Sequence, residues 1–165
     1  MPPPPERILL FRSGRHLQTA LSALRTAFPG CEVAVVATPA ALPALDAAGL
    51  DEAQRIIYDR TPFFRPLSFI ASPAGRQARG RRFDRVAVLW NDPDGAGQAN
   101  VDHTALLVAP RGFIAITPDG TLVTCRSTTL LGRELACAVR SLAVGAALTI
   151  LLYAPARLVQ AVRRL

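Results

Sequence analysis

Two short loops carry most of the residues in this chain that could do chemistry. The first has the sequence RSGRH at positions 12–16 and stands directly before a helical pattern. A helix N-terminus beside cations and a hydroxyl group is typical of an anion site. We therefore predict a phosphate-like ligand held by Arg12, Ser13, Gly14 and Arg15. His16 ends the loop and is a candidate catalytic base, although a plain strand-to-helix turn would also explain the sequence.

The second loop has the sequence NDPDG at positions 91–95. Its carboxylates, Asp92 and Asp94, could act as a base or bind a divalent cation, and Asn91 could contact a ligand. Asp and Asn are also the ordinary residues of turns, so a simple turn stays open. Downstream, His103 is a further candidate ligand-binding residue. Its neighbour Asp102 should point away from it on a helix, so the two do not form a ready-made dyad.

These loops follow strands in an alternating pattern of apolar runs and helical periodicity. Six strands are predicted, at 7–11, 32–37, 54–58, 85–90, 112–117 and 121–124. Helices are predicted at 17–28, 39–48 and 100–108, and a partly helical stretch at 67–82 with interruptions at Pro73 and Gly75. Such alternation predicts an α/β fold, a single Rossmann-like three-layer sandwich with a mainly parallel sheet. In this architecture ligands bind at the carboxyl ends of the strands, where both loops lie.

A C-terminal apolar and amphipathic helical tail follows the predicted sandwich. Residues 141–156 form a run of 16 residues without charge, which would cover roughly 24 Å as a helix. The hydrocarbon core of a bilayer is about 30 Å thick, so the run is marginal as a span. Arginines flank both of its ends, which gives no orientation signal and favours a segment lying in the membrane interface.

The tail residues that we expect to contact a membrane are Leu148, Ile150, Leu151, Leu152, Arg157, Leu158, Arg163 and Arg164. Two alternatives remain for the same residues: a core helix of a soluble domain, or a packed interface in a homodimer. The predicted organisation is a proline-rich lead-in at 1–6, an α/β domain at 7–129 and the tail at 130–165.

The charge and the absence of known motifs limit the kinds of partner and ligand that we expect this chain to bind. All 19 basic residues are arginine and the formal net charge is +7. Residues 111–165 contain seven arginines against two acids, so the positive charge accompanies the apolar tail and favours anionic lipid. The chain lacks a recognisable nucleic-acid reader, and we predict no nucleic acid. GxGxxG, GxxxxGK[ST] and Cys/His ligand spacings are also absent, so we predict no cofactor and no metal.

Part of the chain resembles a known enzyme family. The segments ILLFRSG, LSALRTAFPGCEVAVVATP, IIYD and RGRRFDRVAVLWN occur in the order seen in the N-terminal half of bacterial heptosyltransferase-type glycosyltransferases of the GT-B class. The resemblance covers residues 7 to 91. The matching positions are Arg12, Gly14, Leu24, Arg25, Phe28, Pro29, Phe83 and Asp84.

The chain departs from this family in two ways. The family's first loop normally continues with a Gly-Asp pair whose Asp is the catalytic base, but here Arg15 and His16 follow without an acid. The second Rossmann domain, which binds the nucleotide-sugar donor in that class, has no counterpart in this sequence. The resemblance therefore implies an acceptor-side half that works with a donor-binding subunit.

Three functional hypotheses follow from these observations. The first is a membrane-associated glycosyltransferase-like protein at the cytoplasmic face of the inner membrane, acting with a partner in envelope glycan or glycolipid assembly. The second is a non-catalytic scaffold whose tail forms a dimer or partner interface. The third is a stand-alone α/β enzyme that binds a phosphate ligand. We predict catalytic roles for His16, Asp92 and Asp94 if the chain is an enzyme.

Overall fold

The computed structural model describes residues 5–12, 15–61, 63–95 and 97–128. It contains one six-stranded sheet in the order β3-β2-β1-β4-β5-β6. Five strands run parallel, and β6 pairs antiparallel with β5. The strands are β1 (Arg7–Arg12), β2 (Glu32–Ala37), β3 (Arg55–Ile57), β4 (Arg85–Leu89), β5 (Gly112–Ile116) and β6 (Leu122–Arg126). The predicted α/β fold with a mostly parallel, Rossmann-like sheet is confirmed.

Helices cover the two faces of the sheet. They are α1 (Leu17–Ala27), α2 (Leu42–Ala47), α3 (Pro66–Ala71), α4 (Pro73–Gly80) and α5 (Ala99–Val108). Short 3₁₀ turns at Pro39–Ala41 and Glu52–Gln54 precede α2 and β3. By its internal contacts this α/β unit ends at Ser127.

The central strands are buried on both faces, which explains their continuous apolar sequences. On one face, Ile8 and Leu10 of β1 join the core cluster that includes Leu21 of α1 and Leu45 of α2. On the other face, the ring of Phe11 packs against helix α3. Successive side chains of a strand point to opposite faces, so one short run of residues contributes to two cores.

The helical stretch predicted at 67–82 is two helices that meet at Ser72. The Ser72 hydroxyl accepts a hydrogen bond from the Gly75 amide at 3.0 Å and donates one to the Phe69 carbonyl at 2.6 Å. Pro73 is tolerated because it occupies the first turn of α4, where no amide donor is needed. The predicted interruption at Gly75 is wrong, since Gly75 lies inside α4. A Cβ atom there would be 2.1 Å from the Phe69 carbonyl oxygen, so glycine permits the close approach of α3.

The sixth strand differs most from its predicted bounds. It begins at Leu122 and continues to Arg126, two residues beyond the predicted end at 124. The turn before it is held by Asp119, whose carboxylate accepts hydrogen bonds from the hydroxyls of Thr117 and Thr121. These bonds, above all the one from Thr117, lower the pKa of Asp119. The turn returns the chain along β5 and makes β6 an antiparallel edge strand.

Candidate functional site

The strand order places the two predicted loops beside each other at the carboxyl edge of the sheet. The chain moves from β1 through β2 to β3 in one direction, and from β4 through β5 to β6 in the other. Strands β1 and β4 are therefore adjacent, with Arg12 and Leu89 as register partners. A crevice opens where the connections of two such strands diverge, and ligands of doubly wound sheets bind there. We call the space beyond Arg12 and Leu89 the switch crevice.

Arg12 is the most unusual polar residue at this edge. Its side chain is partly buried, and its Nε atom is buried without a hydrogen-bond partner in the part of the chain that the structure describes. Burial lowers the pKa of the Arg12 guanidinium below its ordinary value. A buried donor without an acceptor is unfavourable, whereas an anion placed against it would form a charge-assisted hydrogen bond.

The rest of the first loop is solvent-facing where it is described. Arg15 and His16 are exposed, and the His16 side chain makes no capping hydrogen bond at the start of α1. The His16 carbonyl accepts a hydrogen bond from the Ala20 amide at 3.1 Å, as expected for the residue before a helix. Ser13 and Gly14 lie outside the described residues. The anion site predicted for this loop therefore stays a prediction, with Arg12 as its best-supported member.

The second loop is a turn folded over Trp90. Asn91, Asp92 and Asp94 are exposed, and the Gly95 amide donates to the Asp92 carbonyl at 3.1 Å. Gly95 has a φ of 70°, and a Cβ atom on it would lie 2.7 Å from the Trp90 ring. Glycine is needed on both grounds, since the conformation is left-handed and the ring leaves no space. The catalytic roles of Asp92 and Asp94 stay predictions.

Trp90 forms a buried pair with Asp102 that sequence reasoning missed. The indole Nε1 donates to Asp102 Oδ1 at 3.0 Å, and Asp102 is 1% exposed. The neighbouring His103 is exposed, as expected for adjacent helical residues. One sequence signal was present: a tryptophan at the end of a buried strand needs an acceptor for its N–H group. Asp102 supplies that acceptor from α5 and fixes this helix against β4.

Four aromatic rings fill the carboxyl edge on the face covered by α3. Phe11, Tyr58, Phe64 and Phe69 are buried, and their ring centroids lie 5.4 to 6.2 Å apart in the contacting pairs. The Tyr58 hydroxyl donates to Ser68 Oγ at 2.9 Å and accepts from Thr61 Oγ1 at 3.1 Å. We call these four rings the aromatic cluster. The cluster is therefore a packed core whose one polar group, the Tyr58 hydroxyl, has hydrogen-bond partners.

Two apolar side chains remain exposed beside this cluster. Phe63 is 71% exposed and Leu67 is 82% exposed, although the next residue after Phe63, Phe64, is buried. The surrounding arginines, Arg60 and Arg65, are exposed as well. We call these four residues the Phe63 patch.

Two cavities lie at the opposite, amino edge of the sheet. The larger has a volume of about 630 Å³ and lies among the ends of α4 and α5, the first residues of β4 and β5, and the last residues of β6. The smaller has a volume of about 450 Å³ and lies at the start of β1 and β2. Neither is lined by His16, Asn91, Asp92, Asp94 or His103.

The Phe-Asp pair of the sequence resemblance also lies at the amino edge, where it makes structural contacts. Asp84 accepts a hydrogen bond from the Arg7 amide at 2.8 Å, and the Arg7 guanidinium lies 5.5 Å from the centre of the Phe83 ring. Phe28 serves similarly as a surface for the Arg85 guanidinium at 4.9 Å. These residues join the starts of strands and helix ends, so their part in the resemblance concerns the fold.

The structure does not describe the C-terminal tail, residues 129–165. The predicted membrane residues of the tail lie outside the described residues. Within residues 5–128, leaving aside the four undescribed positions, no helix is long and apolar enough to cross a bilayer. The same residues contain no cluster of His, Cys, Asp and Glu that could hold a metal ion.

The chain matches no protein-family model, no curated protein and no solved structure.

Proposed function

We propose that this chain is the acceptor-side half of a glycosyltransferase-like enzyme and binds the anionic part of its acceptor in the switch crevice. The observation that carries the proposal is the buried Nε atom of Arg12, which has no partner among the described residues. A phosphate or carboxylate oxygen would give this donor an acceptor and would offset the charge that burial disfavours. Arg12 lies where the connections that follow β1 and β4 diverge, which is the expected ligand position of a doubly wound sheet.

The transferase part of the proposal rests on the sequence resemblance over residues 7–91. In the proposed arrangement Arg12 holds the acceptor, and a separate subunit binds the nucleotide-sugar donor. His16, Asp92 and Asp94 are the proposed sources of a catalytic base, since all three are exposed on loops at the carboxyl edge. A proton acceptor contributes to glycosyl transfer by removing the proton of the attacking hydroxyl group.

Membrane contact is part of the same proposal. The Phe63 patch places two exposed apolar side chains and two arginines at the edge where the acceptor would bind. The sequence of residues 141–165 adds an apolar run and a basic amphipathic pattern. Together, the Phe63 patch and the tail sequence support the proposal that the protein lies at the cytoplasmic face of the inner membrane, where it meets a lipid-linked acceptor.

The ligand part is tested by titrating inorganic phosphate into the full chain and following amide and indole resonances by NMR. We expect saturable shifts at His16 and at the Trp90 indole. We also expect about a ten-fold weaker apparent affinity in Arg12→Gln, because a lost charge-assisted hydrogen bond is worth roughly 1.5 kcal/mol or more. Arg25→Gln is the matched control, because Arg25 is an exposed arginine in the last turn of α1, away from the carboxyl edge of the sheet. Unchanged affinity in Arg12→Gln would remove the basis of the proposal.

The membrane part is tested by flotation with vesicles that contain anionic phosphatidylglycerol. We expect the full chain to float and the double variant Phe63→Ser, Leu67→Ser to float less. Leu42→Ser is the control, since Leu42 is 37% exposed on α2, which covers the opposite face of the sheet from α3. Equal flotation of both variants would show that the Phe63 patch does not contact lipid.

A second candidate function is a non-catalytic scaffold. The placement of the cavities favours it, because neither is lined by the proposed catalytic residues His16, Asp92 and Asp94. In this alternative the tail forms a dimer or partner interface. Absence of phosphate binding at His16 and Trp90, together with a dimer in sedimentation experiments, would favour the scaffold over the transferase half.

A further inference from the structure

We propose that the 630 Å³ cavity at the amino edge binds an amphiphilic phosphomonoester, with its phosphate on an arginine rim and its alkyl part on an apolar floor. This site is separate from the switch crevice and does not depend on the proposed transferase function. Its volume lies within the range of about 300 to 1,000 Å³ that is usual for small-molecule sites. The name amino-edge cavity is used for it below.

The floor of the amino-edge cavity is apolar. Val86 and Phe113 are buried residues at the starts of neighbouring strands, and Val108 contributes from the end of α5. Cys125 of β6 closes the far side. An alkyl chain placed here would leave water without giving up hydrogen bonds, which is the ordinary source of affinity in such pockets.

The rim of the cavity is strongly basic. Five arginines and one acid, Asp84, line it. Two of the arginines already have partners: Arg79 donates to the Ile70 carbonyl at 2.8 Å, and Arg85 pairs with Glu6. The other three are Arg82, Arg111 and Arg126, and no ion pair or hydrogen bond of their side chains is found among the described residues.

The unpaired charge matches a phosphomonoester in magnitude. Helices α4 and α5 both end at this cavity, and each helix C-terminus carries about half a negative charge. Arg79 also keeps its positive charge, because its partner is a carbonyl oxygen. Together with the three unpaired arginines it gives four positive charges, of which Asp84 and the two helix ends offset about two. The remaining surplus of about two positive charges matches a phosphomonoester, which carries about −1.5 to −2 at neutral pH. The sequence of residues 129–165, with five arginines and one glutamate, adds no compensating negative charge.

Arg82 provides an independent indication. It has a φ of 48° at the end of α4, a left-handed conformation that is strained for a residue with a Cβ atom. Glycine is the usual residue after a helix C-terminus because it adopts this conformation without strain. The chain has an arginine there instead, directly on the rim of the cavity. Strained residues of this kind cluster at ligand sites.

The test is a titration of octyl phosphate, inorganic phosphate and octanol into the full chain, below the micelle concentration, followed by NMR at Gly112 and Phe113. We expect octyl phosphate to bind at least ten-fold more tightly than either of the other two probes. Equal binding of inorganic phosphate would remove the apolar part of the proposal, and equal binding of octanol would remove the anionic part. No binding of octyl phosphate overturns the proposal altogether.

Variants separate binding from folding. Arg82→Gly should raise the thermal midpoint, because it relieves the left-handed strain, and should still weaken octyl phosphate binding by about three- to ten-fold. Arg111→Gln with Arg126→Gln should weaken it by ten-fold or more, and Val108→Trp should block it by filling the cavity. Arg25→Gln is the matched control and should leave octyl phosphate affinity unchanged, because Arg25 is exposed and lines neither cavity. Unaltered affinity in both Arg82→Gly and the double glutamine variant would overturn the proposal.

Discussion

The two edges of the sheet differ in how side chains fill them. At the carboxyl edge, the aromatic cluster and the Trp90–Asp102 pair are buried and hydrogen-bonded, and Arg12 holds one donor without a partner. At the amino edge, two cavities are open and arginines surround the larger one. The buried polar groups of Trp90, Asp102 and Tyr58 at the first edge have hydrogen-bond partners, whereas three arginines at the second edge line open space without one in the described part of the chain. Substitutions at the carboxyl edge should therefore affect stability most, whereas substitutions of the arginines at the amino edge should affect it least.

The largest expected effect concerns the aromatic cluster. Phe69 is fully buried and contacts the rings of Phe11, Tyr58 and Phe64. Phe69→Ala should lower the free energy of unfolding by about 3 to 5 kcal/mol, because a large cavity would remain. Urea unfolding of the full chain, followed by the fluorescence of its single tryptophan, measures this change.

Phe63→Ala is the matched control for this measurement, since Phe63 is 71% exposed. It should change the free energy of unfolding by less than about 0.5 kcal/mol, as is usual for surface substitutions. Similar losses for Phe69→Ala and Phe63→Ala would contradict the view that the carboxyl edge is closed by packing.

The next effect concerns the buried Trp90–Asp102 hydrogen bond. Asp102→Ala leaves the indole N–H without its acceptor and should lower the free energy of unfolding by about 1 to 3 kcal/mol. Asp102→Asn keeps an oxygen acceptor of the same shape, so its loss should be the smaller of the two. The tryptophan emission spectrum of each folded variant reports the change around the ring. An equal loss in both variants would show that the hydrogen bond is not the main contribution of Asp102.

A smaller effect concerns the turn before β6, which lies at the carboxyl edge of β5. Hydrogen bonds from Thr117 and Thr121 lower the pKa of Asp119 in the folded state. Asp119 therefore contributes stability above its unfolded pKa of about 3.9, and this contribution disappears as pH falls through the lower folded value. The difference in urea midpoint between the natural chain and Asp119→Ala should shrink as pH falls from 7 to 3. A difference that stays constant over this range would be evidence against the proposed cause.

The smallest effect on stability is expected at the rim of the amino-edge cavity. Arg126→Gln should change the free energy of unfolding by less than about 0.5 kcal/mol, because the exposed Arg126 guanidinium has no partner in the described part of the chain. Chemical denaturation at low and moderate salt measures it. A substantial loss would mean that this arginine stabilises the fold, and the contrast between the edges would be weaker than proposed.

Much of the fold could be predicted from local sequence. Every predicted strand is present, because runs such as the one at 8–11 are apolar at each position and are buried on both faces of the sheet. The break between α3 and α4 was predicted at Pro73 and lies one residue earlier, at Ser72. The error at Gly75 has a clear cause: glycine weakens a helix on average, but here the approach of Phe69 requires it.

The candidate site was only partly accessible from sequence. Ligands of parallel sheets bind at the carboxyl ends of the strands, which indicated the loops after β1 and β4. These two strands are indeed neighbours in the sheet. The Trp90–Asp102 pair was missed because its partners are 12 residues apart and on different elements. The amino-edge cavity was missed because its five arginines are spread along the chain. They lie at the end of α4, at the start of β4, before β5 and at the end of β6.

The sequence by itself determined the alternation of strands and helices, since burial periodicity and the Pro and Gly signals act over a few residues. It also determined where charge and apolar surface accumulate along the chain. Only the tertiary structure decided which polar groups were satisfied, because hydrogen bonds such as that of Trp90 join distant segments. It also decided where space was left open, since a cavity is the volume that packed elements from several parts of the chain fail to fill.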